Sequence, residues 1–478
     1  MRDYFLTLLA LFGLTAGLSQ NTIEAVERDT VQQTYSFTLD QAIDFALKNN
    51  YSAINADRDI IDAQKQKWEV IADGLPQING SVSYQNQLIQ PITLLPAAAF
   101  DNTQSTIDIV NQYFEVEQTD FNVNTPDGFI PVVFSPKHSA TATATLSQQI
   151  FDGSYIVGVQ ATKAFLSYSA NNEEKTDQEV RKSVVESYGN VLLAKESVVI
   201  FEKNKKNLEE NLFETRKLFE NGLGDEESVE QLQITLSSVD NQLKNALRLE
   251  KITLQMLNLV MGIAIDAPTR LEESLDNLTE SQIDFSLMES DFEIENNVDY
   301  RLAQNLSEQR YYEWKLARSK ALPTLTSFVN YGASSFGNEF NFFSGDQQWF
   351  ESSILGIDLS IPIFSSGKRS ASTSRAKIAL EKAKTQLTEA EEQIRLQLDQ
   401  AKSNYILAIE EYETAKENLG LAERIENKNQ IKYTEGLASS FELRQAQTQL
   451  YDAQQGYLQS MVEVINQKTE LETILNEK

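Results

Sequence analysis

The sequence predicts a mostly α-helical protein with a small β part, written as two tandem repeats of one unit. Three observations lead there. Segments recur in the same order at nearly fixed offsets, four short stretches alternate apolar with polar residues, and two proline-free runs carry apolar residues every third or fourth position. Self-similarity at a fixed offset marks a repeated architecture. Period-two alternation marks a strand with two unlike faces, and a spacing of 3 and 4 marks a helix with one apolar stripe.

In chain order, residues 1–19 read as an export signal. Arg2 supplies a charged start, "FLTLLALFGLTAGL" an apolar run and Gly17-Leu18-Ser19 a small-residue cleavage site. A linker, 20–36, precedes the first repeat, 37–265. Its strands are expected at about 78–88 and 139–151 and its long helices at about 154–220 and 226–261. A second linker covers 266–288. The second repeat, 289–478, places strands at about 325–335 and 353–364 and long helices at about 366–432 and 438–475. No run after the signal approaches the roughly 20 apolar residues a membrane helix requires, so an exported chain without a membrane helix is expected.

The duplication fixes this order. "ADGLPQINGSVSYQN" returns as "SKALPTLTSFVNYG" at an offset of 247, "LSQQIFDGS" as "LSIPIFSSG" at 213, and "KLFENGLGDEESVEQLQ" as "IKYTEGLASSFELRQAQ" at 214. The first copy therefore carries about 34 extra residues between its strands, within 88–136.

The stretch "LGIDLSIPIFSSGKR" sets Leu355, Ile357, Leu359, Ile361 and Ile363 on one face against Gly356, Asp358, Ser360 and Pro362 on the other. Each strand is long enough to cross a bilayer at a tilt, which takes about 9–11 residues. Four strands cannot close a barrel, and an open edge in lipid leaves N–H and C=O groups unpaired. Either copies of the chain join, or the strands form a soluble sandwich.

The helices give the stronger pattern. Leu387, Ala390, Ile394, Leu398, Ala401, Tyr405, Ala408, Tyr412, Ala415, Leu419 and Ala422 step by 3 or 4, as a coiled-coil seam does. Val180, Val184, Tyr188, Val191, Val198, Leu208 and Leu212 match them in the first copy. Each long helix should reverse at a glycine, Gly222 or Gly436, through a left-handed C-terminal cap.

Composition narrows the function. There are 41 Lys and Arg against 70 Asp and Glu, one histidine and no cysteine. That acidic balance argues against a nucleic-acid partner, which needs clustered cations. Without cysteine there is no disulfide framework, thiolate metal site or lipid-modified N-terminal cysteine. With His138 alone, neither a histidine metal site nor a Ser-His-Asp triad is expected; His138 reads as an ordinary loop or strand-start residue. No P-loop or dinucleotide fingerprint is present. No cofactor and no enzymatic activity are expected.

The ordered set resembles the TolC family of outer-membrane efflux and secretion channels. The residues that carry the resemblance are "FTLDQAIDFALKNNYSAINADRDIIDAQ", the two Leu-Pro junctions, "PIFSSGKRSASTSRAK" with its relative "QIFDGSYIVGVQATKA", and the turn "YTEGLASSFELRQAQ". The resemblance implies a homotrimer closing a twelve-stranded outer-membrane β-barrel, continued by an α-helical tube in the periplasm of a Gram-negative bacterium. It implies a periplasmic adaptor (membrane fusion) protein and an inner-membrane pump of RND, ABC or MFS type as partners, in efflux or type I secretion. Leu355, Ile357, Leu359, Ile361 and Ile363 would then face outer-membrane lipid, and Asp358 and Ser360 a wet lumen. Tyr84 and Tyr331 would sit at the membrane interface, and Pro362 where strand passes into helix. The 88–136 insertion would be a surface loop with its aromatic residues (Phe100, Tyr113, Phe114, Phe121, Phe129, Phe134) packed down. A periplasmic gate and adaptor-docking turns would fall at Gly222, Asp225, Glu226, Glu227, Tyr433, Gly436, Glu442 and Arg444. Of these, Glu442 and Tyr433 are the members the resemblance points to as pore acid and latch. The competing expectation is an exported coiled-coil adhesin or scaffold without a pore.

Overall fold

A computed structural model of the protein describes residues 35–100, 103–114 and 127–477. The expected signal, most of the first linker and Phe121 lie outside these residues.

The elements run β1 (Tyr35–Phe37), α1 (Leu39–Asn49), α2 (Tyr51–Ala72), β2 (Gln77–Asn86), β3 (Thr93–Pro96), α3 (Thr103–Phe114), β4 (Phe129–Val132) and β5 (His138–Asp152). Then come α4 (Gly153–Glu220), α5 (Glu226–Val260), β6 (Thr269–Leu271), α6 (Leu275–Ser281), α7 (Val298–Ser319), β7 (Thr324–Gly337), β8 (Phe350–Ser360), α8 (Lys368–Thr434) and α9 (Ser440–Leu475).

These elements gather into two compact units, each drawing on both repeats. One unit takes Ser52–Gln178, Met288–Lys402 and Leu471–Lys478. It holds an antiparallel sheet of order β2-β5-β7-β8. The register pairs Ile78 with Leu146, Leu146 with Val329, and Val329 with Leu355. A bulge between Gln149 and Phe151 shifts the lower end of β5. β2 and β8 are the two edges, each paired on one side only among the described residues.

The strand expected over 353–364 runs instead from Phe350 to Ser360. It ends just before Pro362, whose ring removes a ladder donor and fixes φ. Ile361 and Ile363 consequently lie beyond the strand. After them Ser366 and Gly367 take positive φ (48° and 80°), turning the chain into α8 at Lys368. The 88–136 insertion prolongs the β2–β5 hairpin as a ribbon. Gln87 N–H donates to the Lys137 carbonyl, Gln90 Nε2 to the Ser135 carbonyl, and β3 then pairs with β4. Its aromatic residues were expected to pack down. Tyr113, Phe114, Phe129 and Phe134 are instead well exposed, because the described residues of the insertion offer no opposing layer to bury them.

The other unit takes residues 35–51, Glu179–Leu287 and Ser403–Glu470. Here α4 pairs with α5, and α8 with α9, as hairpins. Most seam residues of this unit are buried, with Leu212, Ala415 and Leu419 only partly so. Val198, Phe201 and Leu208 pack on Leu232, Val239, Leu243 and Ala246, while Tyr405, Ala408, Tyr412 and Ala422 are buried on α8. Full burial of a side chain such as Leu208 or Leu232 contributes about 1.5–3 kcal/mol. Stripes repeated over many turns are therefore enough to hold long helices whose mean hydropathy is low.

Two buried tyrosines tie the linkers to this bundle. The Tyr188 hydroxyl lies 3.1 Å from the Phe37 carbonyl and 2.9 Å from Glu273 Oε2, which also accepts the Leu39 N–H at 2.8 Å. The Tyr405 hydroxyl donates to the Gln282 carbonyl at 2.8 Å and accepts the Asp284 N–H at 2.9 Å. Each hydroxyl satisfies backbone groups that a fully apolar seam would leave unpaired.

Candidate functional site

One face of the sheet carries large apolar side chains on all four strands, while the other is mostly polar but also holds Phe328, Phe336, Phe350 and Ile354. Register places Ile78, Val82 and Tyr84 of β2, Leu146 of β5, Val329 and Tyr331 of β7, and Leu355, Ile357 and Leu359 of β8 on one side. Leu355, Ile357 and Leu359 are 75, 70 and 60% exposed, and the other six are exposed as well. The opposite face carries Ser81, Thr141, Thr143, Thr145, Asn330, Ser334, Asp358 and Ser360. Cross-strand bonds stitch it, Ser81 to Thr143 at 3.0 Å and Thr141 to Ser334 at 3.3 Å. An apolar face this broad in water marks a contact surface. Its partner has to be as apolar as itself and must leave the other face wet.

At the end of the sheet where β2 stops and β5 starts, Tyr84 is ringed by aromatic side chains. It packs against Phe340 and Phe342 at 5.2 and 5.9 Å between ring centres. His138 stacks on Tyr84 and is bonded to its hydroxyl at 2.8 Å. The sequence marked Tyr84 but not the Phe340–Phe342–Trp349 cluster, because those residues come together only when the β7–β8 loop folds back.

Both hairpins turn in the same way. Gly222 (φ 76°) and Gly436 (φ 73°) occupy the left-handed position that follows a helix. Gly222 N–H donates to the Phe219 carbonyl and Leu223 N–H to Leu218, just as Gly436 donates to Tyr433 and Leu437 to Lys432. This is a Schellman cap written twice. The next helices are capped in two ways. Asp225 accepts the Ser228 N–H at 2.7 Å and the Ser228 hydroxyl at 2.9 Å, and those bonds, the backbone one foremost, hold its carboxyl below the usual range. At the second turn Ser439 N–H and Oγ–H donate to Glu442 Oε2 at 2.8 and 3.0 Å, and Glu442 N–H returns to Ser439 Oγ. That reciprocal pair is a capping box, and it lowers the Glu442 pKa through the Ser439 backbone and then its hydroxyl.

The other expected residues fall around these caps. Glu226 and Glu227 are exposed in the first turn of α5, where carboxylates favour the helix dipole, and Glu227 Oε1 accepts from Gln231. The Arg444 guanidinium lies 5.3 Å from the centre of the Phe441 ring. Tyr433 is bonded through its hydroxyl to Thr215 on α4 at 2.7 Å. Below it Asn211 and Gln430 exchange two bonds at 3.0 and 2.7 Å, and Ser228 donates to Ser440 at 3.0 Å. Thr215, Asn211, Gln430 and Ser439 escaped sequence reasoning. For Thr215, Asn211 and Gln430 the available signal was polar residues at seam positions, which read as spacing until a partner is placed opposite them; for Ser439 it was the Ser-x-x-Glu spacing to Glu442.

This combination defines a class: a protein with an exposed apolar sheet face and hydrogen-bonded helical hairpins. A profile of the outer membrane efflux protein family matches residues 133–263 and 293–477, and the chain belongs to that family. It is 24% identical over 271 residues to the alkaline protease secretion protein AprF of Pseudomonas aeruginosa, covering 56% of this chain and 54% of that protein. The chain thus spans about half the length of the relative it matches. Its fold is that of the outer membrane protein VceC of Vibrio cholerae, with a TM-score of 0.66 at 15% identity over 91% of this chain and 95% of VceC. It is equally like the Campylobacter jejuni CmeC outer membrane channel, with a TM-score of 0.67 at 17% identity over 92% of this chain and 85% of CmeC. The family and these neighbours are outer-membrane proteins and channels, not enzymes.

Proposed function

We propose that this chain is one protomer of a trimeric outer-membrane exit duct, serving efflux or protein secretion. The observation that carries this is the exposed apolar face of a four-stranded sheet with two edges unpaired among the described residues. Three such sheets joined edge to edge make a closed twelve-stranded barrel, which satisfies every edge and sets Leu355, Ile357 and Leu359 in lipid. Asp358 and Ser360 then line the lumen. An adhesin or scaffold in water has no use for such a face.

The helical hairpins extend into the periplasm, and their tips at Gly222 and Gly436 receive the hairpins of an adaptor. The adaptor connects the duct to an inner-membrane pump of RND, ABC or MFS type, which supplies the energy. The latch is the Tyr433–Thr215 bond, backed by Asn211–Gln430, and opening separates the α8–α9 hairpin from α4. Glu442 acts first as a cap, and its capped carboxylate stays ionised, so three copies place fixed negative charge near the tip. Asp225, Glu226 and Glu227 add to it. Arg444 stays on Phe441 in the resting state. The likeness to AprF favours secretion, whereas the outer membrane efflux protein family to which the chain belongs is named for efflux.

The test is single-channel conductance of the purified protein in a planar bilayer, with ion selectivity. Cation-preferring steps that enlarge when Tyr433→Phe and Glu442→Gln are combined support a constriction at the Gly436 turn. Unaltered steps move the gate elsewhere, and a protein that never needs detergent refutes the duct.

A further inference from the structure

The hairpin unit contains a groove that the channel reading does not use. It measures about 390 Å³ and lies between α4, α5 and α9, well up from the turns. That is the lower end of the size range for small-ligand sites. Its chemistry departs from the rest of the molecule. Residues of the DEKR set make up 23% of the chain, yet none of the twelve lining residues is ionisable. Five are carboxamides, Asn190, Gln242, Asn245, Gln455 and Gln459. They share the groove with the apolar side chains of Leu193 and Leu249; Asn190, Gln242, Asn245 and Gln459 are exposed, and Gln455 is partly buried. Gln455 Nε2 is buried and bonds to no acceptor among the described residues, so the groove holds a donor that lacks its carbonyl.

We infer that this groove binds a neutral oligosaccharide carrying N-acetyl groups. A carboxamide both donates and accepts, and so matches an acetamide group, whose N–H and C=O need one of each. The acetamide carbonyl meets the Gln455 donor, its methyl lies on Leu193 and Leu249, and ring hydroxyls reach the outer carboxamides. A charged ligand would find no counter-charge here, and a purely apolar one would leave the buried Gln455 donor unpaired. The inference does not rest on the duct reading.

The experiment uses full-length protein in detergent and N,N′-diacetylchitobiose as probe, with cellobiose as the analogue lacking acetamide. Saturation-transfer NMR is expected to show transfer to the acetyl methyls and none to cellobiose. Gln455→Leu should weaken binding about tenfold, and Gln459→Leu, at an exposed position, should weaken it without risk to folding. No transfer, equal binding of cellobiose, or binding unchanged in both variants overturns the inference. So does an Asn245→Cys thiol that a maleimide reaches only after denaturation, since a second copy of the chain would then fill the groove.

Discussion

Removing the Tyr433 hydroxyl and removing the Thr215 hydroxyl should have unequal effects. The two oxygens are 2.7 Å apart, and Thr215 is only 2% exposed whereas Tyr433 is half-buried. Tyr433→Phe strands a buried hydroxyl, which costs about 1–3 kcal/mol. Thr215→Val leaves a tyrosine hydroxyl that water can reach, so only the net bond is lost, about 0.5–1.5 kcal/mol. The double variant removes both polar atoms, and its effect should fall short of the sum by about 0.5–3 kcal/mol of coupling. If this bond holds the closed state, Tyr433→Phe multiplies the opening equilibrium of one protomer by about 5–150. Open probability in planar bilayers, measured for both singles and the double, reads this cycle directly. Additive effects, or a larger effect from Thr215→Val, would refute the latch.

Three further outcomes are expected. Leu355→Arg on the apolar sheet face should cost about 2–4 kcal/mol in mid-membrane and abolish heat-resistant oligomers on a gel, whereas Asp358→Arg should keep them and shift ion selectivity; equal damage from both would mean that the two faces do not meet different solvents. Ser439→Ala should cost about 1 kcal/mol, seen as faster proteolysis at the Gly436 turn. Because the cap depresses the Glu442 pKa, its contribution is present above the unfolded value and is lost as pH falls through the folded one, so the difference between wild type and Ser439→Ala should shrink in acid. Glu426 behaves oppositely: burial raises its pKa despite its bond with Gln447, so its contribution is full below the unfolded value and declines as pH rises through the folded one. Denaturation midpoints of Glu426→Gln followed against pH should lack that decline.

Periodicity alone determined the helical seams. Tyr188, Tyr405, Tyr412 and Leu208 are buried because a stripe recurring every 3 or 4 residues has one way to escape water. The turns were legible for a similar reason, since Gly222 and Gly436 need a backbone conformation that few other residues tolerate. Alternation likewise gave the faces of β8, although Ile361 and Ile363 continued the pattern past the point where Pro362 ends the ladder; patterning cannot see where hydrogen bonding stops.

Pairings between distant segments belonged to the tertiary structure. Thr215 with Tyr433, Asn211 with Gln430, and Gln455 without an acceptor among the described residues are relations across about 200 residues or the lack of one, and no local pattern encodes which polar residue a helix will face. Glu442 shows the same division. Its acidity was written in the sequence, but its geometry made it a cap, because the Ser439 N–H and hydroxyl lay within reach of its carboxylate and offered better partners than water.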